Sequence, residues 1–429
     1  MSDLVHWEDE EIYLLVIRIL TVIQYKNLNS NQKRVRLLVC CYYYLNPKTA
    51  RPRGVKILIR NHSRENRCLR KKEPLMKKKA LVAGALGVIG RSLIQELERQ
   101  GDWEVLGISR RIPDFETSSN YLSLDLLDRE ACENQLRGLK DITHLFYCAF
   151  QPRSSWAEHT APNLAMLVHC VETVTKASTE LQHVQLIEGN KWYGSHLGPF
   201  RTPAREDDPP HMAPNFYVEQ EHWLRNFHAQ APDADAGWNW SALRPHTVCG
   251  FSLNSPMNLS TCLAVYALIS KELGLPLRFP GKPGAWESLY QVCDSRHLAK
   301  AMIWCATDEN AANEVFNITN GDYFRWKNIW GRIAEFFEME PGEVQTIPLT
   351  EFMADKEPLW EKLCEKHGLQ KIPYSEIAAW PFADYVFGSE WDVMTDTLKL
   401  RLHGFHECLR SDEMFFRIFQ EFREQKVIP

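Results

Sequence analysis

The sequence predicts an α/β fold, a doubly wound parallel sheet followed by a smaller, mainly helical C-terminal lobe. Two observations carry this. Strand-like and helix-like segments alternate from Lys78 to about Leu186, as a parallel sheet with crossover helices requires. Ahead of the first of those helices stands KALVAGALGVIGRS, Lys79 to Ser92, in which an apolar strand runs into Gly84, Gly87 and Gly90 spaced G-x-x-G-x-x-G. Gly84 permits the tight turn, Gly87 lets backbone N–H groups approach a pyrophosphate, and Gly90 lets helix and strand pack closely. With Leu86, Val88 and Ile89 between them, these glycines form the expected cofactor cradle of a Rossmann-type domain.

The elements follow in order. Strands are expected at Ala80 to Ala83, Glu104 to Ser109, Tyr121 to Leu124, Thr143 to Cys148, His183 to Ile187 and Trp240 to Leu243. The strand at Glu104 to Ser109 ends beside the adenosine ribose in this kind of fold. A carboxylate there favours NAD, whereas Ser109, Arg110 and Arg111 suit a 2′-phosphate, so NADP(H) is the expected cofactor. Asp125 and Leu126 are placed to meet the adenine, Ala149 lies where the cofactor backbone passes, and Val248 follows the sixth strand on the cofactor side. Long helices are expected at Trp156 to Thr179 and Asn215 to Gln230.

From about Phe251 the pattern changes to helices joined by irregular segments rich in Pro, Trp and Phe, and Pro276 to Trp286 is not expected to form regular helix. Val315 to Ile318 reads as a late strand, Trp326 to Phe337 and Met414 to Lys426 as helices. The domain reading is an N-terminal extension over 1–75, a dinucleotide-binding domain over 76–250, and a substrate lobe over 251–429 that returns some strands to the sheet. The extension holds 15 Lys and Arg against 7 Asp and Glu, little periodicity, and no glycine before Gly54. Met76 then opens MKKKALVAGA, much as a dinucleotide-binding enzyme begins. Residues 1–75 are therefore expected to be disordered or a spurious upstream stretch. A mitochondrial presequence is the alternative, opposed by Asp3 and the acidic run Glu8 to Glu11.

Composition sets further bounds. The chain has 429 residues, 45% apolar and 24% charged, with a net charge of −5. That balance gives no reason to expect nucleic acid as a partner. Twelve cysteines without C-x-x-C suggest reduced thiols in a cytoplasmic protein. Fifteen histidines contain neither H-x-x-x-H nor H-E-x-x-H, so no metal site is expected. The apolar run Ile12 to Tyr25 is broken by Arg18 and too short to span a bilayer. A homodimer is compatible with the sequence but not specified by it.

Rossmann domains of the short-chain dehydrogenase/reductase class, here the extended type, usually carry Y-x-x-x-K on one helix. This chain reads N-F-Y-V-E-Q-E, Asn215 to Glu221, with Glu221 in the lysine position. A lysine stands instead in E-G-N-K-W-Y-G-S-H-L-G-P-F, Glu188 to Phe200, just after the fifth strand. These segments resemble the G-x-K-H-Y-x-G-P-F and N-F-Y-Y-x-x-E-D marks of the progesterone 5β-reductase/iridoid synthase-like (PRISE) branch of the family. R-P-H-T-V-C-G-F from Arg244, F-N-I-T-N-G-D from Phe316 and H-G-F from His403 extend the resemblance over 76–429.

The resemblance implies NADPH-dependent reduction of a C=C bond conjugated to a carbonyl in a small apolar enone, with Tyr217 and Lys191 as the catalytic pair. Tyr193 is a rival hydroxyl donor. Phe150, Trp192, Phe200 and Phe405, with Trp380 and Phe382, are the aromatic residues expected to line the substrate pocket, while Asn163 is expected to be structural. Glu188, Trp192, Val218 and His222 depart from the family marks and point to a microbial subgroup with a different pocket. Two other readings stay open: an NAD(P)-dependent epimerase, dehydratase or carbonyl reductase, and a non-catalytic NADP-binding regulator.

Overall fold

The computed structural model describes residues 39–45, 52–59, 78–113, 115–230, 237–252 and 254–429. The chain divides into two units, Met1–Met76 and Lys77–Pro429. In the first, strands Val39–Leu45 and Pro52–Ile59 pair antiparallel, with Val39 opposite Ile59. The segment VCCYYYL has little alternation but is built of residues that favour extended backbone, which suffices for such a pairing. The expectation of disorder over 1–75 otherwise falls outside the described residues.

The second unit is built on seven parallel strands: β1 (Lys78–Ala83), β2 (Trp103–Ser109), β3 (Asn120–Ser123), β4 (His144–Tyr147), β5 (His183–Ile187), β6 (Asn239–Pro245) and β7 (Glu314–Ile318). Their order across the sheet is β3-β2-β1-β4-β5-β6-β7. Alternation along each strand feeds two cores. Ala80 and Val82 of β1 face a cluster with Leu93, Ile94 and Leu97 of α1 (Val88–Gln100). Leu81 and Ala83 face the opposite one, packed by Cys132 of α2 (Arg129–Leu136), Leu167 of α3 (Trp156–Ala177) and Leu224 of α4 (Phe216–Ala229). Helices cover both faces of the sheet, as parallel sheets need, and only the edge strand β3 stays largely open to solvent.

The C-terminal part adds α5 (Leu259–Glu272), α6 (Ser295–Thr307), α7 (Trp326–Phe336), α8 (Glu357–His367), α9 (Trp380–Phe387) and α10 (Ser411–Glu424). α6 joins α1 on the sheet, and β7 extends the sheet beyond β6. The other helices enclose a core of their own around Trp326, Trp330, Phe279 and Phe387. Within Pro276 to Trp286 a short strand, Leu277–Phe279, precedes a five-residue helix, Pro283–Glu287. Pro283 is tolerated there because the first helical turn needs no N–H from it. The strand order reverses between β1 and β4, and such a switch point opens a crevice at the carboxyl ends of the strands.

Candidate active site

A cavity of about 670 Å³ occupies that crevice. Gly84, Leu86, Gly87, Val88, Ile89 and Gly90 line it, together with Ser109, Arg110, Arg111, Asp125, Leu126, Ala149 and Val248. The glycine turn has the form its spacing requires. Gly84 sits at φ +80°, and a Cβ there would lie 2.7 Å from the carbonyl group of Cys148. A Cβ on Gly90 would lie 2.3 Å from the carbonyl oxygen of Gly84. Gly87 is the N-cap of α1, with no side-chain cap and no acidic residue in the first turn. That helix start is left to an external anion. The narrow turn, the uncapped helix and the Ser109-Arg110-Arg111 strand end fit a nicotinamide dinucleotide.

At the other end of the cavity stand Lys191 and Tyr217. Lys191 lies in the single 3₁₀ turn Asn190–Tyr193 that follows β5. Its ammonium sits 4.9 Å from the Tyr385 ring centroid, 5.4 Å from Trp156 and 6.0 Å from Phe382, with the Met257 sulfur at 3.8 Å. Burial in this cage lowers its pKa to about 8. Tyr217 is the second residue of α4, two past the N-cap Asn215, whose side chain accepts from the Tyr217 N–H at 3.1 Å. The amide of Asn215 also donates to the Lys191 carbonyl at 2.9 Å, tying the two segments together. A Cβ on Gly189 would lie 3.4 Å from the Tyr217 hydroxyl, so the phenol rests over the bare backbone at the end of β5. Burial, and then the charge of Glu188, push the phenol well above its ordinary pKa.

Behind this pair lies a charged cluster closed to solvent. Arg244 at the end of β6 donates from Nε to Glu188 Oε2 at 2.7 Å and from Nη2 to Glu221 Oε2 at 2.6 Å. Nη1 reaches the Tyr193 hydroxyl at 3.1 Å, and the guanidinium lies 3.6 Å from the Trp192 ring centroid. Burial, and then the neighbouring Glu221, raise the Glu188 pKa well above the ordinary carboxyl range. Glu221, at the position a short-chain enzyme usually gives to lysine, thus joins an internal ion pair.

The aromatic expectations divide. Phe150 and Phe382 line the cavity; Trp192, Phe200, Phe405 and Trp380 do not. Trp192 is taken by the Arg244 guanidinium. Phe200 is half-buried between the small cluster around Tyr217 and the C-terminal core. Phe405 packs on His297 and Trp304 of α6, in the core between that helix and the sheet. Trp380 is packed in the C-terminal core against Tyr374. Tyr193, the rival donor, gives its hydroxyl to Asn317 at 2.7 Å and accepts from Arg244. Asn163 closes the Gln151 backbone on both sides and carries no cavity surface. Sequence reasoning missed Tyr385 and Met257, which lie far along the chain from the glycine turn and belong to no spacing pattern. It also missed the cluster role of Arg244.

A dinucleotide cradle sharing one cavity with an amine and a phenol defines a nicotinamide-dependent oxidoreductase of the Rossmann short-chain class. Residues 122–429 match the model of the PRISE-like Rossmann-fold domain, and the chain belongs to that family. It is 35% identical to the (S)-8-oxocitronellyl enol synthase of Nepeta cataria, over 82% of this chain and 93% of that one. It is 34% identical to the 3-oxo-Δ(4,5)-steroid 5β-reductase of Arabidopsis thaliana, with the same coverage. Among solved structures, the UDP-glucose 4-epimerase of Thermotoga maritima superposes with a TM-score of 0.58 at 16% identity, covering 81% of this chain and 99% of that one. That likeness concerns the fold alone. No helix among the described residues is long and apolar enough to cross a membrane.

Proposed function

We propose that this protein is an NADPH-dependent reductase of C=C bonds in α,β-unsaturated carbonyl compounds. The observation that carries the reading is that Tyr217 and Lys191 line the same cavity as the glycine turn. The names of the relatives agree, one specifying an enol product and another reduction of a 3-oxo-Δ(4,5) steroid. Both outcomes follow from hydride addition at the β-carbon of an enone.

When bound, the cofactor supplies that hydride. The chain's part is to receive charge at the carbonyl oxygen. The Tyr217 hydroxyl donates to it as the enolate forms, a term typically worth about 3–4 kcal/mol. The Lys191 ammonium, held in a cage of low polarity, strengthens that donor by favouring the phenolate form. Phe150, Phe382 and the Met257 side chain supply an apolar wall for a small substrate. Ser109, Arg110 and Arg111, with no carboxylate at the strand end, support NADP(H) over NAD(H). Nine cysteines among the described residues are unpaired, which supports a cytoplasmic setting.

Epimerase or carbonyl-reductase chemistry, which the shared fold accommodates without specifying, is the second reading. The burial of Glu221 against Arg244 weighs against it, because the helix offers no lysine to a sugar hydroxyl. NADPH oxidation measured against cyclic and acyclic enones and simple aldehydes, with product analysis of nucleotide sugars incubated with the protein and NAD, separates these. Turnover of enones alone supports the proposal; turnover of nucleotide sugars, or of aldehydes lacking the double bond, overturns it.

A further inference from the structure

Arg244 touches every segment that places the Lys191–Tyr217 pair. Glu188 precedes Lys191 by three residues at the end of β5, and Trp192 and Tyr193 follow it directly. Glu221 lies one helical turn beyond Tyr217 on α4. The Arg244 side chain is 2% exposed, those of Glu188 and Glu221 0% and 4%. One rigid guanidinium therefore bonds the residues on both sides of the amine and the helix that presents the phenol. A planar fork with fixed donor directions suits that task better than a flexible ammonium.

We propose that Arg244 is the positioning residue of this site, holding the turn that carries Lys191 against the helix that carries Tyr217 through its bonds to Glu188 and Glu221. The assignment rests on reading Lys191 and Tyr217 as the reacting pair. It also accounts for the absent Y-x-x-x-K. A lysine at position 221 would bring a second cation against the buried Arg244 guanidinium, so the acidic side chain and the displaced amine belong together. Position 221 stabilises the frame, and the amine comes from the strand end instead.

Without the bridge, the turn loses its side-chain ties to β6 and to the second turn of α4, while the Asn215 bond to the Lys191 carbonyl remains. Lys191 would then leave its cage of Trp156, Phe382, Tyr385 and Met257 for water. The titratable groups near that ammonium include Tyr385 and the histidines His159 and His196, whose pKa values are lowered by burial and then further by the Lys191 charge. Its release would be visible in its basicity whether or not the protein turns over a substrate.

The test uses the full chain with Arg244→Met, Glu221→Gln and, as a control, Arg225→Gln. Arg225 pairs with the outer oxygen of Glu221 at 2.7 Å from a half-exposed position and touches neither Lys191 nor Tyr217. Two quantities are read. The first is the pH midpoint for acetylation of the Lys191 amine, followed by mass spectrometry. In the native protein it is expected near 8, and in Arg244→Met it should move toward the ordinary lysine value of 10.5. The second is enone turnover, with kcat expected to fall at least about tenfold while the KM for NADPH stays within about twofold. Glu221→Gln should shift both in the same direction by less, and Arg225→Gln should shift neither.

A folded Arg244→Met protein with native midpoint and native kcat overturns the proposal. If that variant does not fold, the nearly isosteric Glu221→Gln decides in the same way. A shifted midpoint in a protein whose native form reduces no enone upholds the positioning role and removes the enone reading instead.

Discussion

The side-chain amide of Asn215 donates to the backbone carbonyl of Lys191 at 2.9 Å, while its oxygen accepts the backbone N–H of Tyr217. One residue thus caps a helix and fixes the amine-bearing turn beside it. The two tasks separate by substitution. Asn215→Ser keeps a capping oxygen but is too short to donate to the Lys191 carbonyl, so kcat should fall while stability falls less than in Asn215→Ala. Asn215→Ala loses both and should also cost about 1–2 kcal/mol in stability. Urea unfolding and steady-state turnover, measured on both variants, check the split.

Tyr217→Phe removes the hydroxyl proposed to receive carbonyl charge and keeps the ring, which lies tilted by 42° with its centroid 4.2 Å from that of Phe216. Turnover should fall roughly 10²–10³-fold. NADPH affinity, read by fluorescence titration, should remain nearly native. Unchanged turnover would remove the phenol from the mechanism.

Lys191 yields a pH prediction with two signs. As pH rises through about 8 the ammonium is lost, so kcat should decline on that limb. For stability, the folded pKa lies below the ordinary value of 10.5. Between the two values the unfolded chain holds a proton the folded chain has released, so stability rises with pH across that window. At pH 7 both states are protonated and the folded chain bears the full burial cost, on the order of 3 kcal/mol. Lys191→Met should therefore be inactive yet more stable at pH 7, with its advantage gone above about pH 10.5. Denaturant midpoints at pH 7 and pH 10.5 read this directly.

The sequence exposed the parts of this molecule that are local. The apolar strand at Ala80 to Ala83, the three glycines and the helix from Asn215 are written in neighbouring residues, and the strand and the glycine turn form where expected, the helix one residue later with Asn215 as its cap. Pocket aromatics are a different matter. Whether Phe405 or Phe382 faces the cavity depends on how helices folded over a hundred residues later pack, and Phe405 fell on the α6 side of the sheet. The Arg244 bridge joins residues 56 and 23 positions away, with no periodicity to announce it. Glu221 was noticeable as a missing lysine, but only the fold shows what the carboxylate binds.

Gly90→Ala tests the cradle without touching the reacting groups. The added Cβ would sit 2.3 Å from the Gly84 carbonyl oxygen and 2.9 Å from the Ala85 Cα, both rigid backbone atoms. Either α1 or the turn must move. Overpacking of this kind typically costs about 1–3 kcal/mol. Cofactor affinity should drop more steeply than stability, since the displaced backbone is the phosphate-facing one. Calorimetric titration of NADPH beside a thermal melt distinguishes the two effects.

Cofactor choice turns on the end of β2. Ser109 and the exposed Arg110 and Arg111 line the cavity there, and the Ser109 hydroxyl accepts the backbone N–H of Arg111 at 3.4 Å. A 2′-phosphate brings close to two negative charges to this corner, whereas a free 2′-hydroxyl brings none. Arg110→Ala should therefore raise the KM for NADPH about tenfold and leave that for NADH nearly unchanged. Ser109→Asp places a carboxylate where a ribose hydroxyl can donate to it and a phosphate is repelled, so the preference should invert. The ratio of kcat/KM for the two cofactors, measured with one enone at fixed ionic strength, reads both changes. Equal sensitivity of NADPH and NADH to Arg110→Ala would show that the guanidinium acts as a general surface charge and not on the phosphate.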